Sequence, residues 1–214
     1  MKRAFIYKRF ERFWHWMQAL LIITLGLTGF EIHGSFKLFG YKQAVEIHNT
    51  ALWLFLGLIV LAIFWHFTTG EWKQYLPTGG NVSTMVKYYT SGIFRNEPHP
   101  YKKSELSKLN PLQRLTYLGF KLVIVPVQVT TGLLYLYYNK WPEWGFNGSL
   151  NVVALVHTIG AFTLVVFFIV HLYMITTGRT VTSNLKAMIT GWEELEEDTA
   201  VQPDRVERPA LTGD

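Results

Sequence analysis

From Val152 to Ile175 the chain carries no charged residue. At about 1.5 Å of rise per residue such a run crosses a hydrocarbon core of roughly 30 Å. In lipid every backbone N–H and C=O must be satisfied within the segment, so the run predicts a membrane-spanning helix over Leu150 to Gly178. That helix contains His157 and His171. Imidazoles are costly in hydrocarbon and should face the protein interior toward a definite partner. Fourteen positions separate them; at about 100° each, the second returns to within roughly 40° of the first, about 21 Å further along. Both rings therefore look into one bundle, one near each membrane face. A lone histidine in such a helix commonly only hydrogen-bonds a neighbouring helix. Two in register suit a helix that offers one axial ligand to each of two haems stacked across the membrane, provided other helices supply histidines at matching depths.

The 214 residues are 50% hydrophobic, with 8 Trp, 11 Tyr and 15 Phe, and the apolar residues are gathered into long blocks. This is a membrane-protein composition. The net charge is +5, from 20 Lys and Arg against 15 Asp and Glu. The basic residues flank apolar blocks, which reads as topology and not as nucleic-acid binding. With no cysteine, the chain has no disulfide, thiolate metal site, iron-sulfur cluster or covalent c-type haem attachment. The basic N-terminus runs into an apolar stretch too long for a signal peptide and without a small-residue cleavage site, so a retained first span is expected.

In chain order, Met1 to Phe13 is a basic amphipathic segment leading into Trp14, His15 and Trp16, and a first span runs to about Ile32 with Gly26 and Gly29 in its far half. A second span is expected from about Glu46 to Phe67, with His48 and His66 near its two ends. Thr68 to Leu112 is the one sizeable extramembrane segment; Ser83 to Tyr89 predicts a short interfacial helix capped by Ser83, and Arg95, Lys102, Lys103 and Lys108 make the rest basic. Asn110 to Arg114 opens a third span that reaches about Tyr138, with a kink expected at Pro126 and with Lys121 either snorkelling to the cytoplasmic surface or pairing a haem propionate. Asn139 to Ser149 is a short connection with Trp141 and Trp144, suited to anchor an interface. No internal repeat is obvious. The basic segments, with Arg179 and Lys186, fall on one side, which the positive-inside rule assigns to the cytoplasm. The predicted fold is an all-α integral membrane protein: a four-transmembrane-helix bundle over residues 1–192 with cytoplasmic termini, then an acidic, flexible tail over residues 193–214.

This topology puts His15, His66 and His171 near the inner face and His33, His48 and His157 near the outer face. For the outer level His48 is a better partner of His157 than His33, which abuts Gly34 and Ser35 in a turn. For the inner level, depth alone leaves His15 and His66 open.

The segments RFERFWHW (residues 9–16), EIHN (46–49), NPLQR (110–114), VHTIG (156–160) and VHLYM (170–174) resemble the dihaem cytochrome b subunit of respiratory formate dehydrogenase. Related b561-like anchors serve thiosulfate reductase and nickel-iron hydrogenase. The likeness covers about residues 5–192. It implies two b haems, one held by His15 with His171 and the other by His48 with His157. It also implies a menaquinone or ubiquinone site beside the inner haem, lined by Asn110 and Gln113, with His66 near enough to be a quinone contact or proton carrier. Gly160, one residue nearer its histidine than in the family pattern, and Lys121 depart from the likeness. The implied function is electron transfer in the bacterial inner membrane between the quinone pool and an outer-face partner, an iron-sulfur or multihaem subunit of a periplasmic oxidoreductase, with quinone reductase or quinol oxidase activity. Competing readings are a stand-alone b561-type cytochrome oxidising a small donor such as superoxide, and a non-redox membrane anchor or metal-ion transporter. The last is disfavoured by the lack of a mid-span carboxylate.

Overall fold

The computed structural model describes residues 2–77, 81–101 and 107–195. The chain runs β1 (Lys2–Phe5), α1 (Arg9–Ile32), α2 (Tyr41–Thr69), α3 (Val82–Lys87), α4 (Pro111–Gly119), α5 (Val125–Leu136), α6 (Leu150–Thr176), α7 (Ser183–Thr190) and β2 (Trp192–Leu195). Four helices are long and apolar enough to cross a membrane: α1, α2, the composite Pro111–Leu136, and α6. The all-α bundle expected from the sequence is thus present.

Several boundaries have local causes. The second span starts at Tyr41 and not near Glu46, because Gly40 turns the chain at φ 87° and Glu31 gathers the connection behind it. The Glu31 Oε1 accepts the backbone N–H groups of Leu38, Phe39 and Gly40 at 2.7, 2.8 and 2.7 Å. In the third span, a π-helical turn over Phe120–Ile124 joins α4 to α5. Pro126 has no N–H for the carbonyl four residues back and its ring crowds that carbonyl, so a widened turn absorbs the misfit where a kink was expected. The short interfacial helix is capped by Asn81, not Ser83: the Asn81 side chain accepts from the Thr84 N–H at 3.2 Å, and Ser83 falls inside the first turn.

A two-stranded ribbon, unexpected from the residue pattern, joins the two ends of the described chain. β1 pairs antiparallel with β2, placing Arg3 opposite Glu194 and Phe5 opposite Trp192. The Arg3 guanidinium also lies 5.1 Å from the Trp192 ring centre. Glu193 to Leu195, expected to begin the flexible tail, are therefore held in a strand; residues 196–214 lie outside the described residues, as do Lys102 and Lys103. The ribbon brings both ends of the described chain to one end of the bundle, termed the inner end below.

The helices form two hairpins, α1 with α2 and the third span with α6, and close backbone contact runs within each hairpin more than between them. The α1–α2 seam is built on Leu21, Ala51, Phe55 and Leu58, and Val125 and Val129 lean against it. Phe30 meets Phe162 edge-on at 5.3 Å across the hairpins. Trp141 is not an exposed anchor: it is 6% exposed, donates its Nε1–H to the Leu134 carbonyl at 3.0 Å and packs edge-on to Phe146. Trp144 is exposed.

Candidate functional site

His15, in the second turn of α1, and His171, near the end of α6, face each other at the inner end with ring centres 6.0 Å apart and planes at 50°. Trp16 stands edge-on to His15 at 5.3 Å, and Phe167 stacks on His171 at 5.9 Å and 10°. Two imidazole–metal bonds of about 2 Å, with about 1 Å from each nitrogen to its ring centre, sum to roughly 6 Å. The spacing is that of one metal ion held between two imidazoles. Among the described residues no group of three or more His, Cys, Asp or Glu gathers that could hold a metal ion.

His48 and His157 sit toward the outer end, each against the preceding helix of its own hairpin. The Nδ1 of His48 is 3.0 Å from the Thr28 hydroxyl, and the Nδ1 of His157 is 3.0 Å from the Thr131 hydroxyl. A Cβ added at Gly29 would stand 3.3 Å from the His48 Cε1, and one at Gly132 would stand 3.1 Å from the His157 Cε1. Gln128 approaches the other face of the same site, its amide nitrogen 3.3 Å from the His157 Nε2. The Gln128 carbonyl oxygen fills the room a Cβ on Gly160 would need and is buried without a hydrogen-bond partner among the described residues. His33 reaches the Thr158 hydroxyl at 3.5 Å.

His66 is built differently. Its Nδ1 is 2.6 Å from the Ala62 carbonyl, which only accepts, so that nitrogen carries the proton. Its Nε2 faces the Lys121 Nζ at 3.3 Å and the Tyr75 hydroxyl at 3.5 Å. The Lys121 ammonium lies 3.2 Å from the Tyr75 ring centre and 4.8 Å from that of Trp14, an aromatic cage in which ring faces replace lost hydration. Both nitrogens of His66 are thus engaged within the chain.

Asn110 and Gln113 form a reciprocal capping box at the start of α4. The Asn110 Oδ1 accepts from the Gln113 N–H at 2.9 Å and the Gln113 Oε1 accepts from the Asn110 N–H at 3.1 Å. Asn110 also donates from Nδ2 to the Tyr89 hydroxyl at 3.1 Å. Burial first, and Tyr88 second, push the Tyr89 hydroxyl up to about 12, so it stays a neutral partner. Beside this box Lys108 bridges Glu11 at 2.9 Å and Glu71 at 3.1 Å, and Lys8 also holds Glu71 at 2.6 Å. Burial pushes the Glu71 carboxyl up, but the two ammonium groups outweigh it and hold the pKa below its ordinary value.

Sequence reasoning singled out the histidines and the amide pair but missed Thr28, Thr131, Gly132, Gln128 and Tyr75. The repeated Thr-Gly dipeptide, at 28–29 and 131–132, and the lone amide of Gln128 inside an apolar span were the available signals.

A family model described as prokaryotic cytochrome b561 matches residues 6–191. The putative cytochrome YdhU of Escherichia coli (strain K12) is 30% identical over 203 residues, covering 89% of this chain and 75% of that one. A putative protein-methionine-sulfoxide reductase subunit, YedZ1 of Azospira oryzae, is 26% identical over 191 residues, with 83% and 91% covered. A probable Ni/Fe-hydrogenase B-type cytochrome subunit of Rhizobium leguminosarum bv. viciae is 25% identical over 206 residues, with 80% of each chain covered. No solved structure matches the chain.

Proposed function

The chain belongs to the prokaryotic cytochrome b561 family, multi-pass b-type cytochromes of the bacterial inner membrane, and from that premise we propose that it is the membrane-anchor subunit of a respiratory oxidoreductase, carrying electrons between an outer-face partner and the quinone pool. The observation that carries this reading is the 6.0 Å separation of the His15 and His171 rings. His15 and His171 hold one b haem at the inner end, and His48 and His157 hold a second at the outer end. Bound b haem supplies one-electron redox chemistry at its iron. The chain orients the imidazoles: glycines admit the outer rings edge-first, and Trp16 and Phe167 fix the inner ones. The inner end, with its ribbon and basic residues, is cytoplasmic by the positive-inside rule.

Quinone reacts at the inner end. Reduction of a quinone takes two electrons and two protons, so the site needs hydrogen-bonding groups and a proton source. His66, caged with Lys121 and Tyr75, supplies the proton-bearing group, and Gln113, positioned by Asn110, supplies an amide. Gln113→Leu and His66→Phe are expected to slow quinone-linked reduction or oxidation while leaving both haem spectra in place. Normal quinone kinetics in both variants would put the site elsewhere.

The partner docks on the outer connections, where Phe36, Leu38, Phe39, Tyr41, Phe146 and Trp144 are exposed. Relatives named as subunits of a hydrogenase and of a methionine-sulfoxide reductase support a subunit role over a stand-alone cytochrome. If this surface docks a partner, dissociating the purified complex makes residues 32–45 and 139–149 newly sensitive to protease. Unchanged cleavage would contradict it.

A further inference from the structure

Resting on the assignment of His48 and His157 to one haem, we propose that Thr28 and Thr131 are paired positioning residues that fix both outer ligands in the same tautomer, with hydrogen on Nδ1 and the lone pair on Nε2 directed to iron. The assignment follows from counting hydrogens. A threonine hydroxyl has one to give. Thr28 spends it on the Thr24 carbonyl at 2.7 Å, and Thr131 on the Val127 carbonyl at 2.7 Å, because a carbonyl oxygen can only accept. The 3.0 Å contacts from these hydroxyls to the histidine Nδ1 atoms are therefore closed by the ring's own hydrogen.

The device occurs once in each hairpin as the same dipeptide. Threonine takes the ring nitrogen, and the glycine after it lets the ring edge approach to 3.3 Å at Gly29 and 3.1 Å at Gly132. The inner ligands are framed by Trp16 and Phe167 instead. Donating Nδ1–H to an oxygen makes an imidazole a stronger ligand through Nε2 and orients its plane. The outer haem is then held in a state more favourable to ferric iron than unassisted imidazoles would give.

The test uses the full chain in detergent, with Thr28→Val, Thr131→Val, the double variant, and Thr28→Ser and Thr131→Ser as hydroxyl-keeping controls. Each is read by haem content, redox titration and the low-temperature electron paramagnetic resonance signals of the ferric haems. The valine variants should move the outer haem's midpoint upward and change its resonance, with the inner haem unmoved and the serine variants close to wild type. Loss of the outer haem in valine but not serine variants supports the same conclusion. An unchanged outer haem in the double valine variant, or equal change in the valine and serine variants, overturns the proposal. One haem in the wild type would instead overturn the two-haem reading on which it rests.

Discussion

Gly29 and Gly132 are positions where one methyl group decides whether a histidine keeps its place. Each lies within 3.3 Å of a ring carbon measured from an added Cβ, tighter than ordinary van der Waals separation. Gly29→Ala or Gly132→Ala must push a ring a few tenths of an ångström away, and should lower outer-haem occupancy while the inner haem remains, as read from haem content and redox titration. Full occupancy in both variants would show that the rings tolerate the shift. Asn110 tests a different contact. Removing its side chain costs the α4 cap about 1 kcal/mol and also strips the Tyr89 hydroxyl of a donor, so Asn110→Ala should lower the thermal midpoint without removing haem. The six candidate histidines were legible because helical spacing and apolar surroundings are written in the chain. The choice between His15 and His66 was not, since both sit at the same depth; it came from the likeness of the segment over residues 9–16 to the cytochrome b family.

The elements at the inner end are tied by the Lys8–Glu71–Lys108–Glu11 cluster, which joins the start of α1, the segment after α2 and the approach to α4. The Lys108, Glu11 and Glu71 side chains are only 8%, 13% and 12% exposed. Lys108→Leu takes the Lys108 ammonium from both Glu11 and Glu71, leaving Lys8 on Glu71, and is expected to cost about 3 kcal/mol, visible as a lowered thermal midpoint. The pH dependence has a definite sign. Glu71 is held below its ordinary value of 4.5, so its contribution is complete above that pH and is lost as pH falls through the lowered value. Lys8 is raised above 10.5, chiefly by its bond to Glu71, so its contribution is present below that pH and fades as pH rises past the raised value. Lys8 is half exposed, and solvent screens its share. Stability should therefore be flat across neutral pH and fall more steeply on the acid side. The spanning helices were legible from apolar length alone, and the irregularity of the third span from Pro126. The ribbon was not: four-residue strands are too short for period-two patterning to register, and Arg3 and Glu194 find each other only after four spans have brought the chain ends together.

The whole molecule is two helix hairpins leaning on each other through side chains, with histidines from both lining the space between. Contacts such as Phe30 with Phe162 close the bundle at points and not along continuous seams. A ligand that bridges the hairpins therefore stabilises the fold by mass action, and haem-depleted protein should melt well below the haem-loaded form; equal midpoints would deny haem a structural role. The bundle, its span count and its histidine levels could be read from the sequence, whereas the Thr-Gly pairs and the caged Lys121 depend on contacts between helices. The central claim is that four histidines hold two haems in one chain. It is tested most directly by the haem-to-chain ratio of the intact protein in mild detergent, measured alongside His157→Ala and His171→Ala. The account predicts a ratio of two in the wild type and one in each variant, with the two variants retaining spectroscopically different haems. A ratio of one in the wild type, or loss of the same haem in both variants, would contradict it.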